Sequence, residues 1–233
     1  MQIIALINQK GGVGKTTSTV NIGAGLTKLN KKVLLIDLDP QAHLTYSLGI
    51  PAHKLDKSIY KLIKREVTWK KILIKRNELK VIPSSLGLSG AETELSGIAG
   101  KEFLLKEALG ELKGFDYILI DSPPSLGLLT INALTTAQEV YIPLQVEFLA
   151  LQGLSKLIET IDIVKKRLNK NLEITGIIAT RFDGRKNLNK EVVEKIKDYF
   201  GNKLFKTFIR DNVSIAEAPS FGKPIILYDE DSP

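Results

Sequence analysis

Residues 2–30 read QIIALINQKGGVGKTTSTVNIGAGLTKLN. The stretch opens on a continuous apolar run, passes through glycines at 11, 12 and 14, and ends with apolar and small residues at helical spacing. That is strand, loop, helix. Within the loop, Gly14-Lys15-Thr16 completes the phosphate-binding pattern G-x-x-x-x-G-K-[ST], yet counting back puts Gln9 where the first glycine belongs. The glycines have moved inward, and an extra lysine, Lys10, stands at the loop mouth.

Such a loop suits a nucleotide. Gly11, Gly12 and Gly14, with Val13 between them, let the backbone wrap the phosphates so that successive N–H groups and the start of the next helix face the anion. Lys15 is placed to neutralise β- and γ-phosphates, and the Thr16 hydroxyl to bind Mg²⁺. Thr17 either touches the α-phosphate or opens the helix.

Outward from the loop the same alternation continues. KKVLLIDLD (31–39) reads as a strand, LDKSIYKLIKRE (55–66) as a basic amphipathic helix, LKVIPS (79–84) as a strand and KEFLLKEALGEL (101–112) as a helix. FDYILIDSPP (115–124) is a strand stopped by two prolines, followed by a short helix through Leu134 and the strand EVYIPLQ (139–145). A long helix near 149–168, the strand EITGIIATRF (173–182), a helix in NKEVVEKIKDYF (189–200) and a last short strand about LFKTFI (204–209) complete the pattern. Strands that are apolar on both faces and alternate with helices predict an α/β fold: a mostly parallel twisted sheet with helices on both faces, as one domain over 1–233. Ligands of such sheets bind outside the carboxyl ends of the strands.

Two acidic signals sit at those ends. YILIDSPP brings Asp121 to the end of four apolar residues, the arrangement by which a carboxylate reaches Mg²⁺ through a coordinated water. In LLIDLDPQ, Asp37 and Asp39 point to the same side if the strand stays extended, Asp37 near the phosphates and the metal, Asp39 near an attacking water. Either could instead cap the next helix.

Composition narrows the chemistry. The 233 residues include no cysteine and two histidines, His43 and His53, which excludes disulfides, thiolate metal sites and a histidine-built metal centre. Any metal is expected on oxygen. No basic leader and no spanning apolar stretch is read, so the expected location is the cytoplasm. The net charge is +7, and residues 54–80 hold ten Lys/Arg against three acids, a segment that carries the whole excess. Such a run is either a solvated face or an electrostatic footprint for nucleic acid.

Together these motifs resemble one family. KGGVGKTT (10–17) is similar to the deviant Walker A loop of the ParA/Soj/MinD ATPases, LLIDLDPQAHLT (34–45) to their second motif and YILIDSPPSLGLLTINAL (117–134) to their Walker B segment. TRFDGRKNLNKEVVEKI (180–196) and NVSIAEAPSFGKPI (212–225) resemble later blocks of the ParA/Soj branch, so the likeness runs from about residue 1 to 228. It implies ATP and Mg²⁺ as cofactors and a slow, partner-stimulated ATPase in which Lys10, Lys15 and Asp39 are catalytic. It implies that Lys10 reaches across an ATP-sandwich homodimer to phosphates held by the other subunit. Asn212 and Arg210 would adjoin the base, although the family has proline at position 210. The ATP-bound dimer would bind DNA without sequence preference, associate with the nucleoid and be released when a ParB-like activator triggers hydrolysis. Plasmid partition, chromosome segregation or cargo positioning are the roles that follow.

The resemblance is uneven where DNA is concerned. Arg185 matches an arginine that Soj-like proteins use on DNA, with Lys186 and Lys190 beside it, but the family's PRNVRLSEAPS appears as IRDNVSIAEAPS (209–220), which puts Asp211 and Ser214 at two basic positions. We expect the footprint to have shifted toward 54–80, including Lys61, Lys64 and Arg65, and toward Arg210. The usual final C-terminal helix is expected to be missing after LYDEDSP (227–233), which also argues against a MinD-like membrane anchor. The long helix near 149–168 reads as packed on the sheet, with Gln152 as a dimer contact. The alternative from another class is an ATP-dependent biosynthetic enzyme resembling dethiobiotin synthase, which would not need Lys10 across an interface.

Overall fold

The computed structural model describes residues 1–110, 112–148, 150–151 and 153–232. Its strands are β1 (Gln2–Leu6), β2 (Val33–Asp37), β3 (Ile74–Arg76), β4 (Leu79–Ile82), β5 (Tyr117–Asp121), β6 (Glu139–Gln145) and β7 (Glu173–Thr180). They form one seven-stranded sheet in the order β3-β4-β2-β5-β1-β6-β7. All neighbours are parallel except β3 and β4. The helices are α1 (Lys15–Lys28), α2 (His43–Ser47), α3 (Ile59–Ile63), α4 (Ala91–Leu95), α5 (Leu104–Ala108), α6 (Leu128–Thr136), α7 (Leu154–Arg167), α8 (Asn187–Phe200), α9 (Val213–Glu217) and α10 (Ile225–Tyr228).

Period-2 alternation puts the core on both faces of the sheet. Ile3, Ala5 and Ile7 join Leu34, Ile36, Ile118 and Ile120 on one face, under α6 and α7. Ile4 and Leu6 join Leu35 and Leu119 on the other, under Val20 and Ala24 of α1. Gly23 of α1 is required there, because a Cβ at that position would meet Leu35 at 2.6 Å. A sheet covered on both faces needs strands without a polar side, and that is how β1, β2 and β5 read.

The α/β architecture expected from the alternation is present, with five local differences. The basic helix expected over 55–66 is cut to α3: Ser58 caps it by accepting from the Tyr60 N–H at 3.3 Å, and Arg65, at φ 60°, turns the chain into the left-handed region and ends it. The helix expected over 101–112 becomes a 3₁₀ turn, Lys101–Phe103, followed by α5. No strand forms at 204–209. The Phe205 and Ile209 N–H groups bond to Ile177 and Ala179 of β7, and the chain departs from the edge between them. β3, a short edge strand inside a basic stretch, had no sequence signal. The helix expected near 149–168 begins at Leu154; Gln152, read as a dimer contact, lies outside the described residues.

Candidate nucleotide site

The phosphate loop leaves the carboxyl end of β1, between β5 and β6, where the chain goes to opposite sides of the sheet. Gly12 (φ 74°) and Gly14 (φ 88°) take left-handed backbone that side chains rarely adopt. The loop is braced from the far half of the sheet. Asn8 Nδ2 donates to the Pro143 carbonyl at 2.8 Å, Gln9 Nε2 to that of Gly153 at 2.6 Å, and Thr180 Oγ1 to that of Val13 at 2.9 Å. Gly14 then serves as the N-cap of α1, which has no side-chain cap and no acid in its first turn. The first N–H groups of α1, from Lys15, Thr16 and Thr17, therefore face the loop with nothing among the described residues competing for them, which is an anion site.

Lys15 is buried, and its ammonium donates to the Lys10 carbonyl at 3.2 Å. Burial pulls its pKa down, while Asp121 and Asp39 oppose that by holding the charge. Lys10 is half-exposed at the mouth and ion-paired with Glu147, beyond β6. Sequence reading missed Glu147, yet the signal was the one used for Asp121: an acid just past an apolar strand.

Thr16 Oγ1 donates to Asp121 Oδ2 at 2.6 Å. Asp121 is completely buried, its other oxygen has no hydrogen-bond partner, and its pKa is driven well above the usual carboxylate range by burial and then by Asp37. A buried carboxylate oxygen left unpaired next to a hydroxyl fits a hard cation held on oxygen. Among the described residues no three His, Cys, Asp or Glu side chains converge on one point. The donor set therefore suits Mg²⁺, which takes one or two protein oxygens and completes its shell with phosphate and water.

Asp37 lies beside Asp121 in register, but its carboxylate is spent inside the fold. Oδ2 accepts from the Thr45 N–H at 2.8 Å and from Thr45 Oγ1 at 2.6 Å, and Oδ1 accepts from the Asp39 N–H at 3.1 Å. Of the two sequence readings, these bonds match the one that caps the next helix: Thr45 lies in α2, and its N–H is one that the helix start leaves without a partner. Burial raises the Asp37 pKa to about 7. Asp39 is past the strand end, where Oδ1 accepts from the Gln41 N–H at 2.9 Å. It lines, with Gly11, Lys15, Thr17, His43 and Pro219, an open cleft of about 590 Å³ along the loop.

The remaining sequence candidates are not among the residues that line this cleft. Asn212 caps α9 through Oδ1 on the Ser214 N–H at 2.7 Å and donates from Nδ2 to Ser232 Oγ at 2.7 Å. Arg210 is exposed on the segment bridged to Phe182 past the end of β7. Arg185 is strongly exposed but gripped by its neighbour Asp183 at 2.9 Å, with Lys186 at 3.8 Å from the same carboxylate and Lys190 exposed on α8. Lys64 is shared between Glu94 (2.8 Å) and Glu66 (3.0 Å), and Arg65 pairs with Glu107. Lys61 is half-buried on α3.

Known proteins share this sequence and fold. Residues 1–174 match the family model described as AAA domain. Over 231 residues the chain is 49% identical to the sporulation initiation inhibitor protein Soj of Bacillus subtilis, covering 98% of this chain and 91% of that protein. It is 46% identical to the chromosome partitioning protein ParA of Myxococcus xanthus, covering 98% and 82%. Among solved structures, cobyrinic acid a,c-diamide synthase from Mycobacterium smegmatis, with bound ATP analog and magnesium, superposes with a TM-score of 0.88 at 38% identity, covering 95% of this chain and 93% of that one. A phosphate loop with a second lysine at its mouth, an Asp121–Thr16 pair behind it and these likenesses lead to one conclusion: the chain belongs to the ParA/Soj family of partition ATPases.

Proposed function

We propose that the protein is an ATP-dependent dimerising ATPase of DNA segregation or cargo positioning, whose ATP-sandwich dimer holds DNA non-specifically and lets go when a ParB-like partner stimulates hydrolysis. The observation that carries this reading is Lys10. Lys15 already fills the inner, buried cation position, so a second, half-exposed ammonium at the mouth has no phosphate of its own subunit left to serve that Lys15 does not reach. A second subunit gives it one.

Each residue has a defined task. The α1 N–H groups and Lys15 bind and orient the phosphates; Thr16 and Asp121 would hold Mg²⁺. The bound metal neutralises charge on the β- and γ-phosphate oxygens. Asp39, at the cleft wall and positioned by its turn onto Gln41, orients water toward the γ-phosphate. Lys10 from the second subunit stabilises charge on the transferred phosphoryl group, as an arginine finger does. Asn212 and Arg210 are assigned to the base side. Because ATP ligates the interface, its hydrolysis removes the contacts that favour the dimer.

Light scattering on size-exclusion fractions tests the reading. The parent should dimerise with ATP and Mg²⁺ and not with ADP. Asp39→Ala should dimerise as well or better while hydrolysis falls by about a hundredfold or more. Lys15→Ala should remain monomeric for want of nucleotide. ATP-dependent dimerisation of Lys10→Ala equal to the parent would sink the role given to the second lysine.

A further inference from the structure

The basic segment 54–80 does not act as one patch. Lys64, Arg65 and Lys75 are matched by Glu94 and Glu66, Glu107 and Glu78 respectively. Lys70, Lys71 and Lys80 are exposed, and none of them takes part in an ion pair among the described residues. Lys70 and Lys80 are joined by aromatic rings. Lys70 Nζ lies 5.6 Å from the Trp69 ring, Trp69 meets Phe115 edge-on at 6.4 Å, and Lys80 Nζ lies 5.1 Å from the Phe115 ring. Lys75 stands directly opposite Lys80 across the β3–β4 ladder, a like-charge pairing that destabilises a sheet. Lysine on an edge strand is ordinarily explained as a guard against edge-to-edge aggregation, which covers Lys75 on β3. It does not cover Lys80, on an inner strand, or Lys70 and Lys71, on a 3₁₀ turn.

These residues lie at the amino end of the parallel strands. Phe115 lies two residues before β5, and its neighbour Asp116 spends its carboxylate on the Lys32 N–H at 2.8 Å, just before β2. The phosphate loop is at the other end, about 17 Å away along a five-residue strand. The cations there cannot serve the nucleotide bound by their own subunit. An open groove of about 480 Å³ runs alongside, lined by Thr68, Trp69, Lys70 and Lys71 and also by Glu66 and the Arg65–Glu107 pair.

We propose that this ledge, Lys70, Lys71 and Lys80 set around Trp69 and Phe115, is where the protein grips the phosphate backbone of duplex DNA. The proposal rests on the DNA-binding reading above and moves the footprint away from Lys61, Lys64, Arg65 and Arg185. Unmatched lysines are suited to it: each is a mobile point charge that neutralises a phosphate without reading sequence. The Lys70 and Lys80 ammonium groups also stand over the Trp69 and Phe115 rings.

The test is binding of a random-sequence duplex as a function of salt, with ATP and Mg²⁺ present. It compares the parent with a triple variant, Lys70→Gln, Lys71→Gln and Lys80→Gln, which keeps long polar stems and removes three charges. Each lost phosphate contact removes about 0.9 from the log–log salt slope, so the triple variant should bind at least about tenfold more weakly with a slope shallower by about 2 to 3. ATP hydrolysis without DNA should be unchanged. The Lys→Arg triple at the same positions should retain binding; if it loses as much as the Gln triple, the side chains pack rather than bind and the ledge is wrong. If the parent binds and the Gln triple matches it in affinity and slope, the ledge is overturned and the DNA-binding reading stands. A parent that binds no duplex at any salt overturns both. Equal affinity for polyglutamate would assign the ledge to acidic protein chains instead and overturn the DNA proposal.

Discussion

Asp37 and Asp121 face each other across β2 and β5, both fully buried; burial makes each costly to ionise, and Asp37 adds to that cost for Asp121. In the unfolded chain Asp37 gives up its proton near pH 4; in the folded chain it holds it to about 7. Between those values the folded form binds more protons, so stability is greatest at the acid end, falls as pH rises from about 4 to 7, and flattens above. In nucleotide-free and Mg²⁺-free protein, Asp37→Asn should therefore flatten the decline of melting temperature over that interval, which pH-resolved thermal melts would read; an unchanged slope would mean Asp37 is ionised throughout. Asp121 was legible from sequence because an acid after four apolar residues has nowhere to go but the strand end. Asp37 and Asp39 carried the same signal and diverged. Thr45, eight residues on, takes both hydrogen bonds of one Asp37 oxygen, and no local pattern announces a partner at that distance.

At the scale of elements, α2 and the segment from α9 to α10 flank the cleft. Thr45 Oγ1 donates to Asp37 and accepts from the Ser84 N–H at 2.9 Å, tying α2 to the connection after β4. Thr45→Val leaves the buried Ser84 N–H without a partner and Asp37 Oδ2 with the Thr45 N–H alone, and should cost about 2–3 kcal/mol in chemical denaturation, against less than 1 for a solvent-facing threonine such as Thr160. On the other flank, Gly222 (φ 65°) approaches Gly49 so closely that a Cβ would lie 2.9 Å from the Gly49 Cα. Gly222→Ala should destabilise by about 1–3 kcal/mol and release the segment 211–232 to limited proteolysis before the rest of the chain opens. Long helices with a clear apolar stripe, α7 and α8, were legible with starts shifted by a few residues. Helices of five residues or fewer were read too long, as α3 and α5 were, or not read at all, as α2, α4, α9 and α10 were, because caps, left-handed turns and tertiary neighbours set them and not periodicity.

For the whole molecule, nucleotide binding and folding are one equilibrium, since the phosphate loop is formed only when both halves of the sheet are in place. ATP with Mg²⁺ at about a hundred times its Kd should add about 2.7 kcal/mol and raise the melting temperature by about 5–10 °C. Lys15→Ala should abolish that shift while melting near the parent without ligand, as differential scanning fluorimetry would report. The alternation of strands and helices, and the gathering of chemical residues at one end of the sheet, could be read from sequence. Strand order could not: β1 lies between β5 and β6, more than a hundred residues away, and nothing local encodes that pairing. The same separation divides the site by its position in the chain. Asp39 and Asp121 precede residue 137, whereas the braces of the loop, Pro143, Gly153 and Thr180, all follow it. A chain cut at 137–138 would leave the phosphate loop and its acids on one piece and the three braces from Pro143, Gly153 and Thr180 on the other, so that the two fragments form a complementation pair whose reunion reports on loop assembly itself.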